Sequence, residues 1–200
     1  MALDAELGPL RALVGTWEGD QGIDVAFSNT RGEIIETPFR ERTTFSPFGP
    51  VENGRQVLYG LDYRTAAWRR GEEHPFHTEV GYWLWDTAGG QVMRCFMIPR
   101  GTAVLAGGDA EPDARLLVMS AHVGSATYGI LSNRFLDEFA RTTDYEVSVR
   151  LGEGSFSYEE TATIVHGRLT EVLHHTDRNT LHRVGEPGPH GEVSRTGGGG

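Results

Sequence analysis

Lysine is absent from this 200-residue chain, whose 18 basic residues are all arginine. That excludes a lysine nucleophile or a Schiff base. Cysteine occurs once, as Cys95, which excludes an internal disulfide and a cysteine-cluster metal site. Positive charge is also scarce: 28 acidic residues give a net charge of -10, and no basic cluster is flanked by stacking aromatics. A nucleic-acid backbone is therefore not expected as the partner. The N-terminus has no positively charged leader before an apolar core, so a cytoplasmic protein with no membrane partner is expected. No segment repeats at a fixed period, which excludes a solenoid or propeller.

What is present is a chain long enough for one ordinary domain. Residues 185–200 read GEPGPHGEVSRTGGGG and offer little apolar area against the cost of ordering. The expected organisation is thus a folded body over 1–184 and a polar, Gly/Pro-rich, disordered tail over 185–200. Within the body, turn-forming stretches such as GDQG, SPFGPVENG, RRGEEHP and AGGDAEPDA separate many short pieces. LGPLRALVG predicts one or two helical turns, with Pro9 at the first helical position and Leu10, Leu13 and Val14 on one face. Beyond Trp17 the pattern is that of strands. Val57, Tyr59, Leu61 and Tyr63 alternate, as do Tyr145, Val147, Val149 and Leu151. An all-β fold of eight to ten antiparallel strands follows, most simply closed into a barrel that removes its own edges and holds one small ligand. A two-sheet sandwich is the alternative.

The stretches LGPLRALVGTWEGDQG, PFRERTTFS, HTEVGYW and HHTDRNTLHRV resemble the nitrobindin family and the related fatty-acid-binding-protein-like barrels over residues 7–184. Gly15, Trp17 and Gly19 fit that family's glycine-tryptophan signature, whereas Gln21 stands where its last glycine is expected. The resemblance implies an approximately ten-stranded barrel, haem b as cofactor, and a last-strand histidine as the iron ligand. It also implies possible isomerisation of peroxynitrite to nitrate, with small nitrogen-oxide species as partners and no catalytic residue apart from the haem.

Read on their own, Gly15 and Gly19 allow a tight turn and close chain approach, and Trp17 plugs one barrel end with its indole N–H on a backbone acceptor. Imidazole suits haem iron, and His174 and His175 are adjacent, so only one points inward. Alternation leaves the choice open; His175 is taken as the metal ligand and His174 as the alternative. His77 and Glu79 share a face, which places His77 either at the ligand pocket or in a hydrogen bond to Glu79. Thr37 lies where the resemblance implies a cofactor contact. Asp177 either orients a histidine or pairs with Arg178, the second being favoured. Met93, Cys95 and Met97 alternate and are expected to fill the core. Trp83 and Trp85 share a face as core aromatics.

Two other readings accompany haem. One is a non-enzymatic carrier of a fatty acid or other small apolar ligand, with Arg94 or another inward arginine neutralising a carboxylate head group. The other is a barrel filled by its own side chains. The sequence leaves the oligomeric state open.

Overall fold

The structure is a computed structural model that describes residues 5–187; the expected tail lies almost wholly outside the described residues. Eleven strands form one closed barrel: β1 (Gly15–Ser28), β2 (Glu33–Asn53), β3 (Gln56–Arg69), β4 (His77–Asp86), β5 (Gln91–Ile98), β6 (Thr102–Asp109), β7 (Leu116–Val123), β8 (Gly129–Ser132), β9 (Ala140–Leu151), β10 (Ser155–His166) and β11 (Leu173–Gly185). Neighbours in sequence pair as antiparallel hairpins, and β1 closes the circle on β11. The exception is the four-residue β8, which lies antiparallel to β6 and parallel to β7, so the barrel is mixed at that point. A short helix, α1 (Arg134–Phe139), follows it, with the Asn133 side chain accepting from the Leu136 N–H as an N-cap.

The predicted alternation holds where it was clearest. Leu61 and Tyr63 on β3, and Tyr145, Val147, Val149 and Leu151 on β9, all point into the core. Trp83 and Trp85 are buried together on β4. On β5 the inward set is Val92, Arg94 and Phe96, which corrects the expectation for Met93, Cys95 and Met97. These three project to the outer side; Met93 is covered there, while Met97 is 55% exposed. The run is apolar on both faces, so periodicity could not choose between them.

One barrel end is sealed. The predicted helical turn is a 3-10 turn, Gly8–Leu13, with Pro9 in its first turn, and it packs against β4. So short an element is not stable alone. Leu7, Leu10 and Leu13 are nevertheless completely buried, each contributing ~1.5–3 kcal/mol on transfer from water. Trp17 lies beneath them, edge-on to Phe156, and its indole N–H donates to the Leu13 carbonyl at 2.6 Å. Glycine is required at two nearby positions. Gly15 has φ +133°, and a Cβ on Gly19 would stand 2.5 Å from the Thr180 carbonyl oxygen.

Candidate functional site

The sealed end leaves a cavity of about 400 Å³ toward the other, within the range of small-molecule sites. Its lining is graded. Phe45, Trp83, Val149 and Phe156 form the deep apolar part, a polar belt follows, and Phe27, Phe39, Phe76, Pro75, Ile98 and Pro99 form the mouth.

The belt has two parts. The first is a floor built around Arg94, which strand alternation turns inward between Val92 and Phe96. Its guanidinium donates to Glu79 Oε2 at 2.7 Å and to Glu160 Oε2 at 2.7 Å, and also to the hydroxyls of Tyr63 and Tyr145. Tyr63 in turn donates to Glu79 at 2.9 Å and Tyr145 to Glu160 at 2.6 Å. Burial opposes the charge on Glu79, but Arg94, His77 and Tyr63 outweigh it and hold the carboxyl down at about 2. Beside this network Glu41 accepts from Asn179, Tyr158, Thr65 and Thr43. Its pKa is still raised, because burial exceeds what those donors return. Arg94 is therefore committed to two carboxylates, so a fatty-acid head group would have to be met by another lining arginine, Arg69 or Arg100. Its arrangement is closed: every charge has a partner. The cavity also excludes a barrel filled entirely by side chains.

The second part is on the wall nearer the mouth. His175 lines the cavity, whereas its neighbour His174 is exposed on the outer face, so the pleat decides the choice that sequence left open. His175 Nε2 lies 2.7 Å from Asp24 Oδ1 and 3.2 Å from Asp177 Oδ2. Burial disfavours the imidazolium, but Asp177 and Asp24 prevail and raise its pKa to about 10. Asp177 is pushed up to about 6, chiefly by burial, with Glu160 and Asp24 adding repulsion against the pull of His175. The expected Asp177–Arg178 surface pair is corrected: Asp177 faces inward and holds His175, while Arg178, next along the strand, is exposed.

His77 and Glu79 do share a face, and His77 Nε2 is 3.1 Å from Glu79 Oε1 while also lining the cavity. Burial opposes its charge, yet Glu79 and the more distant Glu160 and Asp177 raise its pKa. Thr37 is buried and pairs in register with Asp24 but is not among the cavity-lining residues. Cys95 is free, and burial pushes its thiol up to about 11, so it is no nucleophile at neutral pH. Trp83 Nε1 is buried without a hydrogen-bond partner among the described residues, in a side chain that lines the cavity.

The residues present fit haem in donor chemistry. An imidazole faces the cavity from the last strand, and aromatic rings surround the mouth. The same Nε2 is shared with two carboxylates, so iron and a proton compete for it.

Comparison with known proteins agrees with this architecture. The family profile described as "THAP4-like, heme-binding beta-barrel domain" matches residues 6–183. Two curated proteins, each named peroxynitrite isomerase, are similar over 83 residues: one from Clavibacter michiganensis subsp. michiganensis at 36% identity, one from Clavibacter sepedonicus at 37%. The matched stretch covers 40% of this chain and 36% of each relative. The crystal structure of Rv2717c from M. tuberculosis superimposes with a TM-score of 0.66 at 20% identity, covering 90% of this chain and 97% of that one. That likeness shows a shared fold. No helix among the described residues is long and apolar enough to cross a membrane.

Proposed function

The chain belongs to the THAP4-like, heme-binding beta-barrel domain family, whose cofactor is haem, and we propose that His175 is the residue that holds it and that peroxynitrite is isomerised to nitrate there. One observation carries the ligand assignment: His175 is the last-strand histidine that faces the cavity. The reaction rests on the Clavibacter relatives, which match over part of their length.

Bound haem would supply an iron able to coordinate a small oxidant or gas. The chain supplies the rest. Asp24 and Asp177 hold the His175 ring at Nε2 before haem enters, and would have to release that nitrogen for it to ligate iron. Phe27, Phe39 and Phe76 limit water at the mouth, while Arg69 and Arg100 are the lining cations not tied to the floor and suit the two haem carboxylates. His77, which feels the charge of Asp177, lines the pocket as well. The substrate partners are small nitrogen-oxide species. A cytoplasmic setting is in keeping with the single free thiol.

Haem titration followed in the Soret band tests the assignment. Saturable one-to-one binding is expected in the native protein and in His174→Ala, with loss in His175→Ala. Retention in His175→Ala, with loss in His174→Ala, would overturn it. Rapid mixing of the haem-loaded protein with peroxynitrite should raise the rate of nitrate formation with turnover; equal rates with and without haem would reject the isomerase reading.

A further inference from the structure

The wall on which His175 stands has a feature that haem ligation leaves unexplained. Two carboxylates lie directly opposite each other on adjacent strands: Asp24 of β1 pairs in register with Asp177 of β11, and both point into the cavity. Like charges directly opposite in a sheet are destabilising, and here both are largely withdrawn from water: Asp24 is 6% exposed and the Asp177 side chain 22%. The juxtaposition is made by the chain itself. Between Glu18 and Ile23 the β1–β11 ladder is broken by a bulge, after which β1 resumes with its faces exchanged. Without that shift Asp24 would face outward.

What compensates the pair is one imidazole nitrogen. His175 Nε2 can carry a single hydrogen, yet it approaches a carboxylate oxygen of each aspartate, at 2.7 and 3.2 Å. Among the described residues His175 is the only cationic side chain at ion-pair distance from either aspartate. A further charge beside them is of the wrong sign: Glu160 is paired in register with Asp177 from β10 and also faces inward. The floor offers no relief, since Arg94 is already held by Glu79 and Glu160.

We propose that Asp24, His175 and Asp177 form a site for a directly coordinated divalent first-row transition ion, which excludes haem from the same imidazole. One nitrogen and two carboxylate oxygens are a donor set for Mn²⁺, Fe²⁺, Co²⁺ or Zn²⁺. The three donor atoms lie within 4.8 Å of one another. Donors at ~2.1 Å from an ion sit about 3 Å apart when adjacent in an octahedron, and the two distances from Nε2 bracket that value. A doubly charged ion replaces one shared proton between two anions. The three protein donors come from one wall, so the remaining coordination positions face the cavity and are open to water or a small oxygen-donor ligand.

This site does not depend on haem, and the test is made on the haem-free, full-length protein with Co²⁺ alone. Visible absorption and calorimetry should show saturable one-to-one binding. Asp24→Asn and Asp177→Asn, which keep shape and remove one charged donor each, should weaken it at least tenfold. His122→Ala is the control. It breaks a His–Asp pair of similar length, His122 Nδ1 to Asp144 Oδ1 at 2.8 Å, on the solvent-exposed outer surface, and should leave binding unchanged. Circular dichroism establishes that each variant is folded. Absence of saturable Co²⁺ binding below millimolar concentration, or native affinity retained in both asparagine variants, overturns the proposal. Preloading with Co²⁺ should suppress the Soret titration at equimolar haem; simultaneous binding of both would refute the shared imidazole. Failure of haem to bind at all would count against His175 as its ligand, and leaves the Co²⁺ measurement to stand or fall by itself.

Discussion

The floor around Arg94 and the wall around His175 are built from the same kinds of side chain, in one cavity, yet they are balanced differently. On the floor one guanidinium with several donors meets two carboxylates and two phenols, and the geometry satisfies them all. On the wall one imidazole nitrogen serves two carboxylates. A buried polar network that is complete holds a structure in register; one that lacks a cation invites one from outside. The acidic character of the cavity is thus structural in one half and receptive in the other.

Breaking the floor should have the largest effect. Arg94→Met leaves Glu79 and Glu160 buried without their cation, and a loss of ~3–5 kcal/mol in urea unfolding is expected. A loss below about 1 kcal/mol would put floor and wall on the same footing.

The pH dependence of stability separates the two next. Glu79 is held down at about 2, so its contribution is present above its ordinary value and lost as pH falls toward 2. His175 is raised to about 10, so its contribution is present below its ordinary value of 6.5 and lost as pH rises through 10. The acid limb of a melting-temperature profile should therefore flatten in Glu79→Gln and the alkaline limb in His175→Ala. NMR titration of the His175 ring in Asp177→Asn should show a lower pKa than in the native protein; an unchanged value would remove Asp177 from the wall.

A smaller effect is expected where neither region is touched. Trp17→Phe deletes the hydrogen bond to the Leu13 carbonyl while keeping most of the plug, and ~1 kcal/mol should be lost with both pH limbs intact. Smallest of all, His174→Ala on the exposed face should change stability by less than about 0.5 kcal/mol.

Much of this architecture is legible in the sequence. The alternating runs on β3 and β9 and the Trp17 plug follow from period-two burial and from indole's need for an acceptor. Glu41 was also within reach, since Phe39 and Phe45 on the same strand face carry it and Thr43 inward with them. Arg94 was visible as a candidate for a carboxylate, but its partners Glu79 and Glu160 come from other strands, which β5 alone does not contain. Asp24 was hidden for a different reason. In GIDVAF the neighbours Ile23 and Val25 suggest the core face, but the bulge between Glu18 and Ile23 inverts the pleat and turns the aspartate inward. The glycines flanking Asp20 and Gln21 were the only local sign. Asp177 shares a face with His175 by alternation, but its juxtaposition with Asp24 comes from cross-strand register, which no single-strand pattern contains.

The three leucines over Trp17 also set how the cavity exchanges its contents. Closed at that end, the barrel is a blind well, and a molecule leaving it must use the passage by which the next one enters. Occupancy is then strictly serial. Traffic through the aromatic mouth, rather than events at the bottom, becomes the natural upper bound on how often the interior is renewed.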